Sequence, residues 1–443
     1  MAEQDSVAGT RPVAGVGDGE MLVLRLFRSL QSQSAELALE TRGSSLPTRP
    51  ERFGAAPSAA TASRPVVFVL PGIMGSELRV DGQHVWRDAL SIAMGGFTRL
   101  SLGAGQVEAI RLHSGSYGAL IEHLADTHEV VPFPYDWRLP VQETADRLAA
   151  AVHRELAEAE RQGQPVRILA HSMGGLVARA MVARHPDLWA ALCRHPGARL
   201  LMLGTPNAGS HAINELVVGQ STLLRTLALL DLSSSAAELL RIVCRLPGVL
   251  ALLPKDERED YLAANTWSYY HQRCGKGWSP PAERDLSVAR ELRQLLDRVP
   301  ADPARMLYVA GTAEHTLAQM RFDAAEGRIR FLATAQGDGR VTWDGGIPPG
   351  VPAWFMAVEH GDLAAHEPDF PALVELLENG DTARLPTRQP LSRRVAAELY
   401  AMPEPQVDQL PDEAALLAVA LGQRAATGRQ PCRAEPPVPM AAA

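Results

Sequence analysis

The chain has no excess of positive charge, no paired cysteines and no long apolar run. Of its 443 residues, 43 are Lys or Arg and 51 are Asp or Glu, a formal net charge of -8. Nucleic acid is held mainly through its phosphates, so a chain without a basic stripe is not expected to bind it. Cys193, Cys244, Cys274 and Cys432 stand far apart, with no CxxC pair and no histidines at zinc spacing. That pattern excludes a disulfide framework or a zinc module and fits a reduced, cytoplasmic setting. The first twenty residues place acidic side chains before any basic run and hold no apolar core, so no secretory leader is expected there. The first apolar cluster, MLVLRLFRSL, is about ten residues long and includes two arginines, too short to span a bilayer. No internal repeat is found.

What is present is a globular composition, 46% hydrophobic and 21% charged. Residues 1–63 read as one helix, near 20–40, and a Pro/Ser/Ala/Arg linker. From Pro65 the rhythm changes. PVVFVLPG is a continuous β-branched and aromatic run, as a strand buried on both faces reads. EVVPFPY predicts a second strand, and VQETADRLAAAVHRELAEAERQG a helix whose apolar face is Ala145, Leu148, Ala149, Val152 and Leu156, stopped at Gly163. PVRILA, MGGLVARAMVARH and ARLLMLGTP continue the strand, helix, strand alternation of a parallel α/β sheet. Residues 64–209 are therefore the first part of an α/β core. Leucine-rich helical segments over 210–300 break the alternation and read as a cap, or as a helical subdomain packed on the core. The alternation resumes over 301–380, through RMLYVAG, GRIRFLATAQGDGRV, PAWFMAVEH and the helix DFPALVELLEN, and 381–443 read as one further helix, near 411–423, within a tail.

The chemistry sits at AHSMGG. A serine hydroxyl needs a base within hydrogen-bond reach and donors for the oxyanion it generates. A tight turn between a buried strand and a helix presents such a serine, and G-x-S-x-G expresses the small residues that the turn needs. Here Ala170 replaces the first glycine, and Ser172 is the candidate nucleophile; a purely structural turn serine is the alternative. The order of this fold puts the acid and then the histidine after the serine. Beyond residue 338 only His360 and His366 remain. His360 ends a strand and is the favoured base, while His366 lies near Asp369 and suits a capping turn. Asp338, flanked by glycines in QGDGRV, is the favoured acid, ahead of Asp344 and Glu314; an ordinary hairpin Asp-Gly is its structural alternative. The backbone N–H groups of Ile73, in LPGIMG, and of Met173 are the expected oxyanion donors. Met74, Tyr135 and Trp137 are expected at the rim of the substrate pocket, although Asp136 and Arg138 could equally pair and pin their loop. His360, Asp362 and His366 spell H-x-D-x3-H, a thin pattern without a fourth ligand, and no metal or cofactor is expected.

In order, LPGIMGSELRVDGQHVW, PFPYDWRLP, AHSMGGL, GTPNAGS, GDGRV and VEHGDL resemble the lecithin:cholesterol acyltransferase-like branch of the α/β-hydrolases over about 65–380, with PYDWR the most specific element. The resemblance implies an α/β-hydrolase fold with helices on both faces of a mostly parallel sheet. It implies an acyl-ester substrate, usually lipid, attacked through an acyl-enzyme that passes to water or to an alcohol. It also carries the triad roles onto Ser172, Asp338 and His360. The secreted, disulfide-bonded setting of eukaryotic members does not transfer to this chain. A carboxylesterase for small or polymeric esters is the alternative activity. A hydrolase governed by a protein partner on the N-terminal helix or C-terminal tail is the alternative class, and peripheral membrane contact through the cap is a further expectation.

Overall fold

The continuous apolar runs become the buried strands of one parallel sheet. The computed structural model describes residues 63–86, 96–221, 224, 234–275, 278–389 and 399–401. The helices expected near 20–40 and 411–423, the linker, and most of STLLRTLALLDL lie outside the described residues. In chain order the strands are β1 (Val66–Leu70), β2 (Ser76–Val80), β3 (Gln83–Trp86), β4 (Val107–Leu112), β5 (Glu129–Pro132), β6 (Val166–His171), β7 (Leu200–Leu203), β8 (Met306–Ala310), β9 (Thr316–Asp323), β10 (Arg328–Thr334), β11 (Ala353–Phe355) and β12 (Tyr400–Ala401). The central sheet has six strands in the order β11-β8-β7-β6-β1-β5, and every neighbouring pair is parallel. Every residue of β1, β6, β7 and β8 is buried.

Alternation along these strands sends side chains into two cores. Val67, Val69, Leu169, Leu201, Leu203, Leu307 and Val309 face one, with Leu120 and Leu124 of the helix Ser114–Leu124 and Leu373, Leu376 and Leu377 of Phe370–Asn379. Phe68, Leu70, Ile168, Ala170, Leu200, Met202 and Tyr308 face the other. There they meet the helices Val141–Gln162 and Met173–Arg184. Ala145, Leu148, Ala149, Val152 and Leu156 are buried on the first of these, which ends at Gly163 with φ 65°. Helices thus cover both faces, which is the α/β-hydrolase arrangement. Each fully buried Leu, Val or Phe contributes about 1.5–3 kcal/mol relative to an exposed one.

GRIRFLAT departs from the expected alternation. It forms β10, which pairs antiparallel with β9 and β12 in a separate sheet. Arg328 and Arg330 face outward while Ile329 and Phe331 are buried, the period-two pattern of a hairpin covered on one face rather than of an interior parallel strand. Between β7 and β8 the described chain runs through the helices His211–Val217, Ala236–Val243, Pro247–Leu250, Ala264–Cys274 and Glu283–Arg298. The last packs on Met173–Arg184, and Ala264–Cys274 packs on β10.

Three buried histidines give the fold an acid liability. Burial, with the Arg167 charge whose Nη1 lies 2.6 Å from its Nε2, lowers His128 to about 3. Burial is also the main cause that lowers His171 to about 3 and His211 to about 4. Free histidine titrates near 6.5, so above that pH both folded and unfolded chains are neutral at these sites and stability is full. Below it the unfolded chain takes up protons that the folded chain refuses. Urea unfolding between pH 7 and 4 should therefore show stability falling with acid, at a limiting slope of about 1.4 kcal/mol per pH unit for each histidine. A level or rising stability over that range would mean that these rings are charged in the folded chain.

Candidate active site

All six central strands point the same way, so their carboxyl ends share one edge; Ile73 follows β1, Ser172 follows β6 and His360 follows β11, while Asp338 follows β10 of the separate sheet. β6 delivers His171 and then Ser172, whose φ of 53° and ψ of -124° lie in a region that a side chain disfavours. Holding a non-glycine residue there costs about 1–3 kcal/mol and needs surroundings that fix it. The surroundings are specific. Ser172 N–H donates to Leu203 O at 2.8 Å, and the helix Met173–Arg184 starts immediately. A Cβ on Gly174 would sit 2.7 Å from Pro71 O and 2.9 Å from Leu70 O, and one on Gly175 would overlap the Thr205 side chain. The glycine pair is required because strand β1 and the loop after β7 press directly on the turn.

His360 Nε2 lies 2.9 Å from Ser172 Oγ, and its Nδ1 lies 2.8 Å from Asp338 Oδ2. The other Asp338 oxygen accepts the backbone N–H of Arg340 at 3.0 Å and of Val341 at 2.7 Å. Asp338 is 2% exposed. Burial works against its ionisation, but the His360 ring and the hydrogen bonds outweigh burial and hold the carboxyl below the usual carboxylate range. The His360 amide donates to Asp338 O at 2.8 Å, which fixes the base's backbone to the acid's. Asp338 reaches this edge from the end of β10, and Gly311 after β8 packs beneath it, where a Cβ would lie 2.9 Å from Asp338 Cβ.

The structure thus brings Ser172, Asp338 and His360 together. His366 pairs instead with Asp369 Oδ2 at 2.8 Å. Asp344 lies in the short helix Trp343–Gly346, and Glu314 lies beside His315. Among the described residues, no group of three His, Cys, Asp or Glu could hold a metal, and the H-x-D-x3-H residues do not converge. Ile73 follows β1 and Met173 opens the nucleophile helix, where the first amides have no partner within the helix. Ile73 and Met74 are partly exposed, and Met74 has φ 61°.

Tyr135 and Trp137 are not on a rim. Both are 0% exposed. Tyr135 Oη donates to Pro71 O at 2.7 Å, in the loop after β1. The polar members of PYDWR explain the difference: Arg138 donates to both Asp136 oxygens, at 2.9 and 2.7 Å, and from Nη1 to Leu100 O at 2.9 Å. The motif pins a loop and so carries its aromatic rings inward. Sequence reasoning also missed Tyr117 and His171, which line the site from behind, and Thr205, whose only signal was the GTPNAGS motif.

Residues 117–272 match the family model described as lecithin:cholesterol acyltransferase, which bears out the resemblance carried by the motifs. No curated protein matches the chain. Among solved structures, the mature lipase BlEst2 of Bacillus licheniformis is 14% identical, with a TM-score of 0.37, over 75% of this chain and 100% of that one. The metagenomic carboxyl esterase MGS0156 is 17% identical, with a TM-score of 0.33, over 75% and 79%. The phospholipase PlaB of Legionella pneumophila is 12% identical, with a TM-score of 0.34, over 70% and 59%. Likeness at this level is likeness of fold alone.

The elbow's packing is testable. Gly175→Ala should lower stability by about 1–3 kcal/mol, as overpacking does, and Thr205→Ala in the same chain should recover part of the loss. Thermal unfolding of the four combinations measures both; additive losses would separate Gly175 from Thr205.

Proposed function

We propose that this α/β-hydrolase, related over residues 117–272 to the lecithin:cholesterol acyltransferase family, cleaves acyl esters, preferentially of lipids, through an acyl-enzyme on Ser172. The observation that supports the chemistry most directly is the hydrogen-bonded line from Ser172 Oγ through both His360 nitrogens to Asp338. His360 Nε2 takes the Ser172 proton as Oγ attacks the ester carbonyl. The Ile73 and Met173 amides receive the negative charge that develops on the carbonyl oxygen, each such donor being worth roughly 3 kcal/mol in the transition state. The proton held on His360 then passes to the departing alcohol. Water, or a second alcohol, gives its proton to His360 and attacks the acyl-serine, which regenerates the enzyme. Asp338, already ionised, holds the imidazole in the tautomer with Nδ1–H and stabilises the imidazolium; it does not take the proton.

The lipid preference rests on the family match and on the leucine-rich excursion between β7 and β8. Leu239, Leu240, Val243, Leu246, Val249, Leu250, Leu252 and Leu253 of that excursion are buried in the same core as Met173. Peripheral contact with lipid through the excursion is part of the proposal; no helix among the described residues is long and apolar enough to cross a membrane.

A fluorophosphonate probe should label the wild type and leave Ser172→Ala unlabelled. His360→Ala and Ser172→Ala should each lose roughly 10⁴-fold or more in ester turnover, because the triad acts as a unit, while His366→Ala should stay within a few-fold. Normal turnover in His360→Ala would sink the assignment. For substrate, turnover of p-nitrophenyl esters of increasing chain length should rise once the ester forms micelles. A preference for short, monomeric esters would instead favour a carboxylesterase.

A further inference from the structure

Beside the triad a second set of polar groups joins the loop after β1 to the base. The Gly72 amide donates to Tyr117 Oη at 2.8 Å. Tyr117 Oη lies 2.9 Å from His171 Nδ1, and His171 Nε2 lies 3.0 Å from the carbonyl oxygen of His360. Tyr117 and His171 are 3% and 7% exposed, so these bonds are shielded from water.

The direction of every bond follows from elementary chemistry. A carbonyl oxygen only accepts, so His171 Nε2 carries the hydrogen. Burial, chiefly, holds His171 at about 3, so its ring is neutral at working pH and Nδ1 is bare. The Tyr117 hydroxyl must then donate to Nδ1, which leaves its oxygen free to accept the Gly72 N–H. One polarity runs without a break from the loop after β1, through the helix Ser114–Leu124 and the end of β6, to the backbone of the base. It also explains why a histidine can sit with its ring centroid 5.2 Å from that of His360. A charged His171 would repel the imidazolium that forms during catalysis, and a neutral one leaves it undisturbed.

Resting on the serine-hydrolase reading above, we propose that Tyr117 and His171 are positioning residues: a directed hydrogen-bond chain that holds the oxyanion loop and the catalytic histidine in mutual register. Occupying the Gly72 amide has a second effect. It leaves Ile73 as the next amide in the loop available to the oxyanion, so the chain also selects which donor serves. Through these bonds Tyr117 and His171 act on backbone groups of Gly72 and His360.

The test compares Tyr117→Phe, His171→Gln, His171→Leu and the double variant Tyr117→Phe/His171→Gln in the full chain, with circular dichroism to establish folding. Tyr117→Phe keeps the ring and removes one hydroxyl. It should lower kcat by roughly 10- to 100-fold with KM within about twofold, and slow fluorophosphonate labelling by a similar factor. His171→Gln, which retains an N–H for His360 O, should keep more activity than His171→Leu. A merely structural packing role predicts the reverse order, since leucine suits a buried site better than glutamine. The double variant should lose far less than the product of the single losses, because both break one chain. Wild-type kcat and labelling rate in folded Tyr117→Phe, or equal or higher activity of His171→Leu over His171→Gln, would overturn the proposal. A wild type that failed to label would overturn the serine-hydrolase reading itself, a different result from labelling at an unchanged rate in Tyr117→Phe.

Discussion

The site depends on one strained residue. Ser172 leaves β6 with φ 53°, and the backbone can hold that state only because β1, the loop after β7 and the helix behind it leave no other path. Gly72, Gly174 and Gly175 converge on it from two directions. A side chain in place of either glycine of the pair would push the turn away from strand β1 or from Thr205. Relaxation of the turn into an ordinary φ would swing Oγ away from His360 Nε2, so the strain and the hydrogen bond at 2.9 Å are two aspects of the same constraint. Met74, φ 61°, shows that the loop after β1 carries strain as well. Among the described non-glycine residues, only Asp81, in the tight turn between β2 and β3, shares a positive φ with these two.

Around that point the electrostatics divide by function. Asp338 keeps its charge because the His360 ring and two backbone amides offset its burial. His171, equally buried, has no carboxylate within hydrogen-bond reach and is neutral. Tyr308 lies on the same edge, buried, its hydroxyl donating to Thr205 O at 2.9 Å; burial, and then the Asp338 charge, hold it well above the usual phenol range. His171 and Tyr308, buried beside Asp338 and His360, are therefore uncharged.

How much of this was legible follows from the range of each signal. Strands buried on both faces read as unbroken apolar runs, and the elbow reads as small residues around a serine, because both are written in consecutive residues. Asp338 and His360 were found by order and scarcity rather than by contact: two histidines remained downstream, and the strand end favoured one of them. The hairpin β9–β10 was misjudged because a strand signal does not say which sheet the strand joins. Tyr135 and Trp137 were misplaced for a related reason. An aromatic flanked by charges suggests a surface, but the charges are spent on each other, Asp136 with Arg138, and burying that pair takes the rings inward. Tyr117 could not be found at all, since nothing in its own neighbourhood marks a residue whose partners lie 45 and 54 positions away.

The buried Asp136–Arg138 pair also gives the most specific motif of the chain a mechanical role. Removing one member of such a pair would strand the other charge in the core, a loss of several kcal/mol, so the loop is held firmly. From it the Arg138 carbonyl accepts the amide of Gly248, on the short helix Pro247–Leu250 between β7 and β8. Gly248 has no room for a side chain: a Cβ there would overlap Trp137 O and sit 3.0 Å from Met173 Cε. Met173 provides the amide that follows the nucleophile. The loop, the helical excursion and the turn at Ser172 are thus fastened at one point, Gly248, which meets both the Arg138 carbonyl and the Met173 side chain. Side-chain changes in the remaining helices of the excursion leave that contact intact, because it is made by a glycine, a carbonyl and a buried ion pair.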